Sequence, residues 1–158
     1  MKMNLKNSLI INCLILVLLP LFFSCNEKVI DLRKPEFSIT EPLYKSAEED
    51  NRCVLGGVYF DLYNKSDSAI VFMETRMNVF DKETGKAAFT GYGTIISESE
   101  ISIQPGEKRN MCIPLDKYIT VVPKAGYIID QFYISRLEYA DGRIWEDDLG
   151  VYAVDSRE

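Results

Sequence analysis

The sequence predicts an all-β domain over residues 51–158, arranged as an antiparallel β-sandwich of about seven strands. Three observations lead to this prediction. Apolar and polar residues alternate over several runs of strand length. Combinations of Gly, Pro, Asn and Asp that favour turns separate these runs at intervals of roughly ten residues. No segment combines the apolar spacing of a helix with helix-capping residues.

The first two long strands are predicted on either side of a polar turn at residues 64–68. The inward-facing apolar residues of the first strand are Val54, Val58, Phe60 and Leu62. Those of the second strand are Ala69, Val71, Met73, Met77 and Val79. A hairpin loop at residues 81–86 follows, with Gly85 where the chain needs a positive φ.

A return strand is predicted at residues 87–96, weakened and bulged at Gly91 and Gly93. Pro105 and Gly106 then occupy the central positions of a type II turn. The strand after this turn has its apolar residues at Met111, Ile113 and Leu115. The sequence thus places two shorter strands in the middle of the domain.

The longest strand is predicted at residues 127–140, where the apolar residues change face. They are Phe132 and Ile134 on one face and Leu137 and Tyr139 on the other. A β-bulge near Ser135 and Arg136 reconciles the two phases, because one extra residue moves every later side chain to the opposite face. A final strand begins at Arg143 and ends near residues 152–154.

Four turn patterns of residues 54–154 are shared with a known group of domains. They are Asn64-x-Ser66-x-x-x-Ile70, Val79-Phe80-Asp81 with Gly85, Pro105-Gly106-Glu107, and Tyr139-x-Asp141-Gly142-x-x-Trp145. With these patterns the chain resembles the broad group of immunoglobulin-like domains carried on bacterial lipoproteins. Because the patterns mark hairpins of a sandwich, the resemblance implies a fold and no activity.

The N-terminal segment has the features of an export signal. Two lysines precede an apolar run from Leu9 to Phe23, which is shorter than the roughly 20 residues of a membrane span. Ser24 and Cys25 follow, and the segment resembles lipoproteins that signal peptidase II cleaves, with residues 21–25 as the lipobox. The resemblance implies cleavage between Ser24 and Cys25 and a diacylglycerol on Cys25. The alternative is an ordinary secretory cleavage nearby, with Cys25 unmodified.

This interpretation divides the chain into three parts. Residues 1–24 are the lipoprotein signal peptide, residues 25–50 are the lipidated cysteine with a tether, and residues 51–158 are the sandwich. Within the tether we expect a flexible linker at residues 26–35 and a loosely docked segment at residues 36–50, where Phe37 and Ile39 can start an edge strand. Asn26 stands where an Asp signals inner-membrane retention in enterobacteria, which favours the outer membrane of a bacterial cell envelope. We expect the lipid on Cys25 to hold the protein on the membrane.

The net charge excludes one class of partner. The whole chain carries −6, and removal of residues 1–24 takes away two of the 18 basic residues and none of the 24 acidic ones, which leaves −8. An acidic protein without basic tracts repels phosphate, so we expect no nucleic-acid binding. An envelope protein or a glycan is the expected partner.

The chain lacks histidine and the common catalytic motifs. It contains no histidine, which removes Ser-His and Cys-His chemistry and histidine-based zinc sites. It also contains no Ser-x-x-Lys motif and no glycine-rich loop with the lysine that phosphate binding requires. We therefore expect a non-enzymatic envelope lipoprotein without a cofactor, whose sandwich serves protein interaction or envelope structure.

An alternative function rests on one acidic cluster. Its carboxylates are Asp141, Glu146, Asp147 and Asp148, next to Trp145. Oxygen ligands at a hairpin rim suit calcium, and an exposed Trp suits a sugar ring, so a carbohydrate- or ligand-binding module is the second hypothesis. That hypothesis requires Trp145 exposed beside convergent carboxylates. Otherwise the cluster is a solvated acidic loop that protects a sheet edge.

Two cysteines remain after export and lipidation, namely Cys53 and Cys112. Disulfides are permitted in an exported protein. Both cysteines alternate with apolar core residues, so we expect both to point away from the core. They form a cross-strand disulfide if their strands are neighbours, and otherwise they are two free thiols.

Overall fold

A computed structural model describes residues 34–89 and 93–155. No described residue is helical, and none belongs to a helix long and apolar enough to cross a membrane. The predicted signal peptide, the cleavage position at Ser24 and Cys25, and the first part of the predicted tether lie outside the described residues. The predicted all-β class is confirmed for the described part of the chain.

Within the described residues, eight strands form two four-stranded sheets, and each of their pairings is antiparallel. The strands are β1 (Phe37–Ile39), β2 (Leu43–Ser46), β3 (Gly56–Asn64), β4 (Ile70–Asp81), β5 (Thr94–Ile103), β6 (Lys108–Pro114), β7 (Tyr127–Tyr139) and β8 (Ile144–Glu146). In the first sheet, β3 is central, with β6 on one side and β1 and β2 end to end on the other. The second sheet has the order β5-β4-β7-β8.

An apolar core lies between the two sheets, as in a β-sandwich. Its largest fully buried side chains are Phe60, Leu62, Ile70, Met73, Met77, Ile95, Ile103, Leu115, Ile119, Ile129, Phe132 and Ile134. Phe60 of β3 meets Phe132 of β7 with ring centroids 4.7 Å apart. This contact joins the centres of the two sheets.

Two irregularities in β7 explain its change of apolar phase. Glu74 of β4 pairs with Arg136 and Thr75 pairs with Ile134, so Ser135 is the extra residue of a β-bulge, as predicted. A second register shift lies nearer the start of the strand, where Gln131 has φ 48. Because of the bulge, Ile134 and Leu137 both face the core.

The sandwich begins earlier than predicted. β1 and β2 lie within residues 25–50, which the sequence assigned to the tether, and both pair with β3. Phe37 of β1 is 6% exposed and belongs to the core. The edge strand expected at Phe37 and Ile39 is β1, whereas β2 was not expected, because a strand of four residues contains too little alternation to be recognised in the sequence.

Two valines predicted to face the core are exposed instead. β3 begins at Gly56, so Val54 belongs to the preceding loop and is 80% exposed. Val71 is exposed because the register of β4 shifts between Ile70 and Phe72. A loop residue and a bulge thus interrupted the alternation that the sequence suggested.

The ends of two other strands also differ from the prediction. The strand predicted at residues 87–96 is β5, which begins at Thr94, and Ala87 makes only an isolated bridge to Phe80. β8 is short, and the chain rejoins the sheet only at Val154, opposite Phe132. The predicted turns agree with the structure, since Gly85 and Gly106 have φ 66 and 73.

Candidate functional site: an apolar groove

An open groove lies at one end of the sandwich. Its walls are β2 with the loop of residues 47–55 on one side and the segment of residues 122–128, which leads into β7, on the other. We call this feature the end groove. Its volume is about 1200 Å³, and its lining includes Leu43, Tyr44, Glu48, Glu49, Val54, Leu55, Lys82, Val122, Lys124 and Tyr127.

Tyr44 lines the end groove and links the two sheets there. Its ring meets that of Tyr127 edge to face, with centroids 5.0 Å apart and planes at 89°. Burial raises the pKa of the Tyr44 phenol to about 12. A Cβ at Gly56 would lie 2.6 Å from the Tyr44 hydroxyl oxygen, and one at Gly126 would lie 3.3 Å from its ring. The absence of a side chain at Gly56 and Gly126 therefore makes room for the ring and hydroxyl of Tyr44.

The carboxylate of Asp116 holds the loop wall of the end groove in place. It accepts hydrogen bonds from three consecutive backbone N–H groups, those of Val54, Leu55 and Gly56, at 3.0, 2.7 and 3.3 Å. These hydrogen bonds hold the pKa of Asp116 below its ordinary value, and the bond from the Val54 N–H has the largest effect. An ionised Asp116 thus fixes the point at which the loop enters β3.

Aliphatic side chains project from the walls into solvent. Val54 is 80% exposed, Leu43 is 57% exposed and Val122 is 39% exposed. The charges beside them differ in sign, since Glu48 and Glu49 lie on the loop side and Lys82 and Lys124 lie on the other. Clustered exposed aliphatic groups with a charged rim are typical of a surface that binds another protein.

The predicted ligand residue Trp145 is buried. It is 8% exposed, and its ring packs against Phe37 with centroids 4.8 Å apart and against Tyr152 at 6.0 Å. Trp145 therefore belongs to the core between β8 and β1. A sugar has no access to the face of this ring, so the structure contradicts the site predicted around it.

The predicted carboxylates do not converge either. Asp147 is buried and accepts the backbone N–H groups of Val151 and Tyr152, both at 3.0 Å. Asp141 binds Arg143 at 2.7 Å, and the backbone N–H and guanidinium of Arg143 lower the pKa of Asp141. Glu146 lies 3.6 Å from Arg136, and Asp148 is exposed. Over residues 34–89 and 93–155, no three acidic or sulfur side chains are grouped to hold a metal ion.

Cys53 and Cys112 lie together on the outer face of the first sheet, with their sulfurs 3.2 Å apart. Cys112 is opposite Tyr59 in the pairing of β6 with β3, while its neighbour Ile113 faces the core. The outward position predicted for Cys112 is thus confirmed. Cys53 was wrongly assigned to a strand, because it lies in the loop of residues 47–55 and reaches Cys112 from there.

No protein-family model matches the chain, and no curated protein matches it. Its fold is similar to that of a hypothetical protein from Peptoclostridium difficile 630, known from a 1.85 Å crystal structure. The two share 13% sequence identity and a TM-score of 0.52, over 73% of this chain and 88% of the other. At this identity the likeness shows the fold alone.

Sequence reasoning missed the end groove. The signals were the pair Val121-Val122 ahead of Pro123, and the apolar Leu43 and Val54 in stretches otherwise rich in polar residues. These positions are separated in the chain by up to about 80 residues, a span that only the pairing of β2 with β3 and the contact of Tyr44 with Tyr127 closes. No local pattern in the sequence brings them together.

Proposed function

We propose that this chain is a non-enzymatic lipoprotein of the bacterial cell envelope, whose sandwich binds another envelope protein through the end groove. The proposal assigns the domain to the immunoglobulin-like group and places it on the outer membrane, held by a lipid on Cys25. The export segment of residues 1–24 supports the anchor. The observation that carries the binding role is the cluster of exposed Leu43, Val54 and Val122 over the groove.

The proposed occupant is an extended polypeptide segment with aliphatic side chains and charges of both signs. The aliphatic side chains would cover Leu43, Val54 and Val122, which removes apolar surface from water. Basic groups of the partner would face Glu48 and Glu49, and acidic groups would face Lys82 and Lys124. A glycan is less suited, because the Tyr44 ring that lines the groove is half-buried and packs edge to face against Tyr127.

Site-specific photo-cross-linking in cells that produce the full chain tests the binding role. A photoreactive amino acid is placed at Leu43 or Val122, and in a matched control at Ile96, which is 49% exposed on the outer face of the second sheet. We expect one protein adduct of constant mass from both groove positions and none from Ile96. Equal adducts at all three positions, or none from the groove, would contradict the proposal.

A charged substitution in the groove provides a second test with the same cross-linking measurement. Val54→Asp places a charge on an 80% exposed position, so we expect the fold to persist while the adduct from Leu43 is lost. Val71→Asp is the control, since Val71 is also exposed but lies in β4 of the second sheet. Loss of the adduct in both variants would indicate a general effect of charge and would count against the groove.

The anchor is tested by membrane fractionation and intact mass. We expect the mature chain to begin at Cys25 and to carry a diacylglycerol, and Cys25→Ser to abolish both the lipid and membrane retention. Cys13→Ser is the matched control and leaves both unchanged. A mature chain without lipid, retained or not, would overturn the lipoprotein assignment while leaving the groove experiment valid.

A further inference from the structure

The two thiols on the outer face of the first sheet belong to a small enclosed cluster, here called the sulfur cluster, of Cys53, Gly57, Tyr59 and Cys112. The sulfurs of Cys53 and Cys112 are 3.2 Å apart, and the hydroxyl oxygen of Tyr59 lies 3.6 Å from the sulfur of Cys53. Although Tyr59 points away from the central core, it is 2% exposed, and Cys53 is 6% exposed. The loop of residues 47–55 supplies the cover that shields them.

The absence of a side chain at Gly57 makes room for the sulfurs of Cys53 and Cys112. A Cβ at this position would lie 2.6 Å from the sulfur of Cys53 and 3.1 Å from that of Cys112, as well as 2.9 Å from the carbonyl oxygen of Ile113. A side chain at position 57 would therefore force the sulfurs apart. The backbone of β3 is thus shaped to let Cys53 and Cys112 meet.

Charged side chains close the cluster from outside. The guanidinium of Arg52 lies 4.6 Å from the centroid of the Tyr59 ring and binds Asp50 at 2.9 Å and the side-chain oxygen of Asn110 at 2.7 Å. Lys45 lies over the same ring at 5.1 Å. These contacts hold the loop next to β6 and keep the sulfur of Cys53 directed at that of Cys112.

We propose that Cys53 and Cys112 form an intramolecular disulfide that fastens the loop of residues 47–55 to β6. A covalent bond of about 2.05 Å requires the sulfurs to move by little more than 1 Å, which side-chain rotation in a loop can supply. The bond would close a loop of about 60 residues and so would remove many conformations from the unfolded chain. This inference does not depend on what the end groove binds.

The reaction is a thiol–disulfide exchange with a disulfide oxidant, such as oxidised glutathione. The more accessible Cys112 attacks as thiolate and takes one sulfur of the oxidant, releasing one thiol. Cys53 then attacks the sulfur of Cys112 and releases the second thiol. The protein loses two protons and two electrons, and the oxidant gains both. Burial raises the pKa of Cys53 to about 11, so Cys53 is the poorer nucleophile for the first step, and its sulfur attacks in the second step because it lies 3.2 Å from that of Cys112.

Differential alkylation of the full chain tests the proposal. The purified protein is incubated with oxidised glutathione, then alkylated with and without prior reduction, and its peptides are mapped. We expect Cys53 and Cys112 to be alkylated only after reduction, and one unreduced peptide pair to contain both. Free alkylation of both thiols after this treatment, or lasting glutathione on either, would overturn the proposal.

Thermal unfolding tests whether the bond fastens the loop. We expect the oxidised protein to unfold on the order of 10 °C above the reduced protein. Cys112→Ser removes this dependence on reductant. A bridged protein that unfolds at the same temperature with and without reductant would contradict the fastening role.

Discussion

The indole of Trp145 meets the ring of Phe37 edge to face, with centroids 4.8 Å apart and planes at 85°. Trp145 belongs to β8 of the second sheet and Phe37 belongs to β1 of the first. The contact therefore closes one side of the sandwich through two strands of three residues each. It also explains why an aromatic residue in an acidic stretch of sequence is buried.

Trp145→Ala is expected to destabilise the domain by about 3–5 kcal/mol, because it leaves a cavity against Phe37 and Tyr152. Urea unfolding measures the change. Ile144→Ala is the matched control, since Ile144 is 51% exposed and its loss should cost less than about 0.5 kcal/mol. Equal effects of the two substitutions would show that Trp145 is not a core residue.

Asp116→Asn is expected to destabilise the domain at neutral pH and much less in acid. The pKa of Asp116 is lower in the folded protein than in the unfolded one, so its carboxylate stabilises the fold above the unfolded pKa of about 3.9. This contribution is lost as the pH falls through the folded pKa. The free-energy difference between wild type and variant should therefore shrink below about pH 4.

Unfolding free energies between pH 7 and pH 3 measure this trend. Asp148→Asn is the control, because it removes the same charge from an exposed position outside the end groove. A difference between wild type and Asp116→Asn that stays constant with pH would show that the ionised carboxylate does not hold the loop.

Asn64→Ala is expected to cost about 3 kcal/mol, because Asn64 is fully buried and serves four hydrogen bonds. Its amide nitrogen donates to the carbonyl oxygens of Ser68 and Ile103 at 2.8 and 3.0 Å. Its amide oxygen accepts from the backbone N–H and the hydroxyl of Ser66 at 3.0 and 2.7 Å. The side chain thus ties the turn after β3 to the end of β5.

Asn64→Asp distinguishes the contribution of the amide nitrogen, a donor, from that of the amide oxygen, an acceptor. Aspartate keeps the acceptor for Ser66 but directs a second oxygen at two carbonyl oxygens, so we expect a loss at least as large at pH 7. The exposed Asn51 provides the control, and Asn51→Ala should change stability by less than about 0.5 kcal/mol. An Asn64→Asp variant as stable as wild type would contradict the donor role.

Gly57→Ala is expected to destabilise the protein by about 1–3 kcal/mol and to reduce the yield of the Cys53–Cys112 bridge, because its Cβ overlaps the sulfur of Cys53 and crowds that of Cys112. Thermal unfolding and alkylation measure the two effects. Gly93→Ala is the matched control, since among the described residues beyond its chain neighbours no heavy atom lies within 4 Å of the position of its Cβ. A full yield of bridge in Gly57→Ala would mean that the sulfurs meet by another path.

Most of the long strands and one of their irregularities could be predicted from the sequence, because each leaves a local pattern, whereas the register shift at Val71 and the start of β5 could not. The change of apolar phase between Ile134 and Leu137 indicated the bulge at Ser135, and Pro105-Gly106 indicated the turn between β5 and β6. Strands β1 and β2 could not be placed as firmly, because three or four residues cannot establish an alternation. Their order is imposed by the hydrogen bonds that β3 offers along its edge.

The sequence by itself determined the all-β class, the main strands and the outward position of Cys112, since these depend on the two-residue period of side chains along a strand. Only the tertiary structure decided that Trp145 is core, that Val54 is exposed and that Cys53 meets Cys112. Each of these depends on contacts between residues far apart in the chain, where burial and hydrogen bonding across the sheets outweigh the local preference of any one segment.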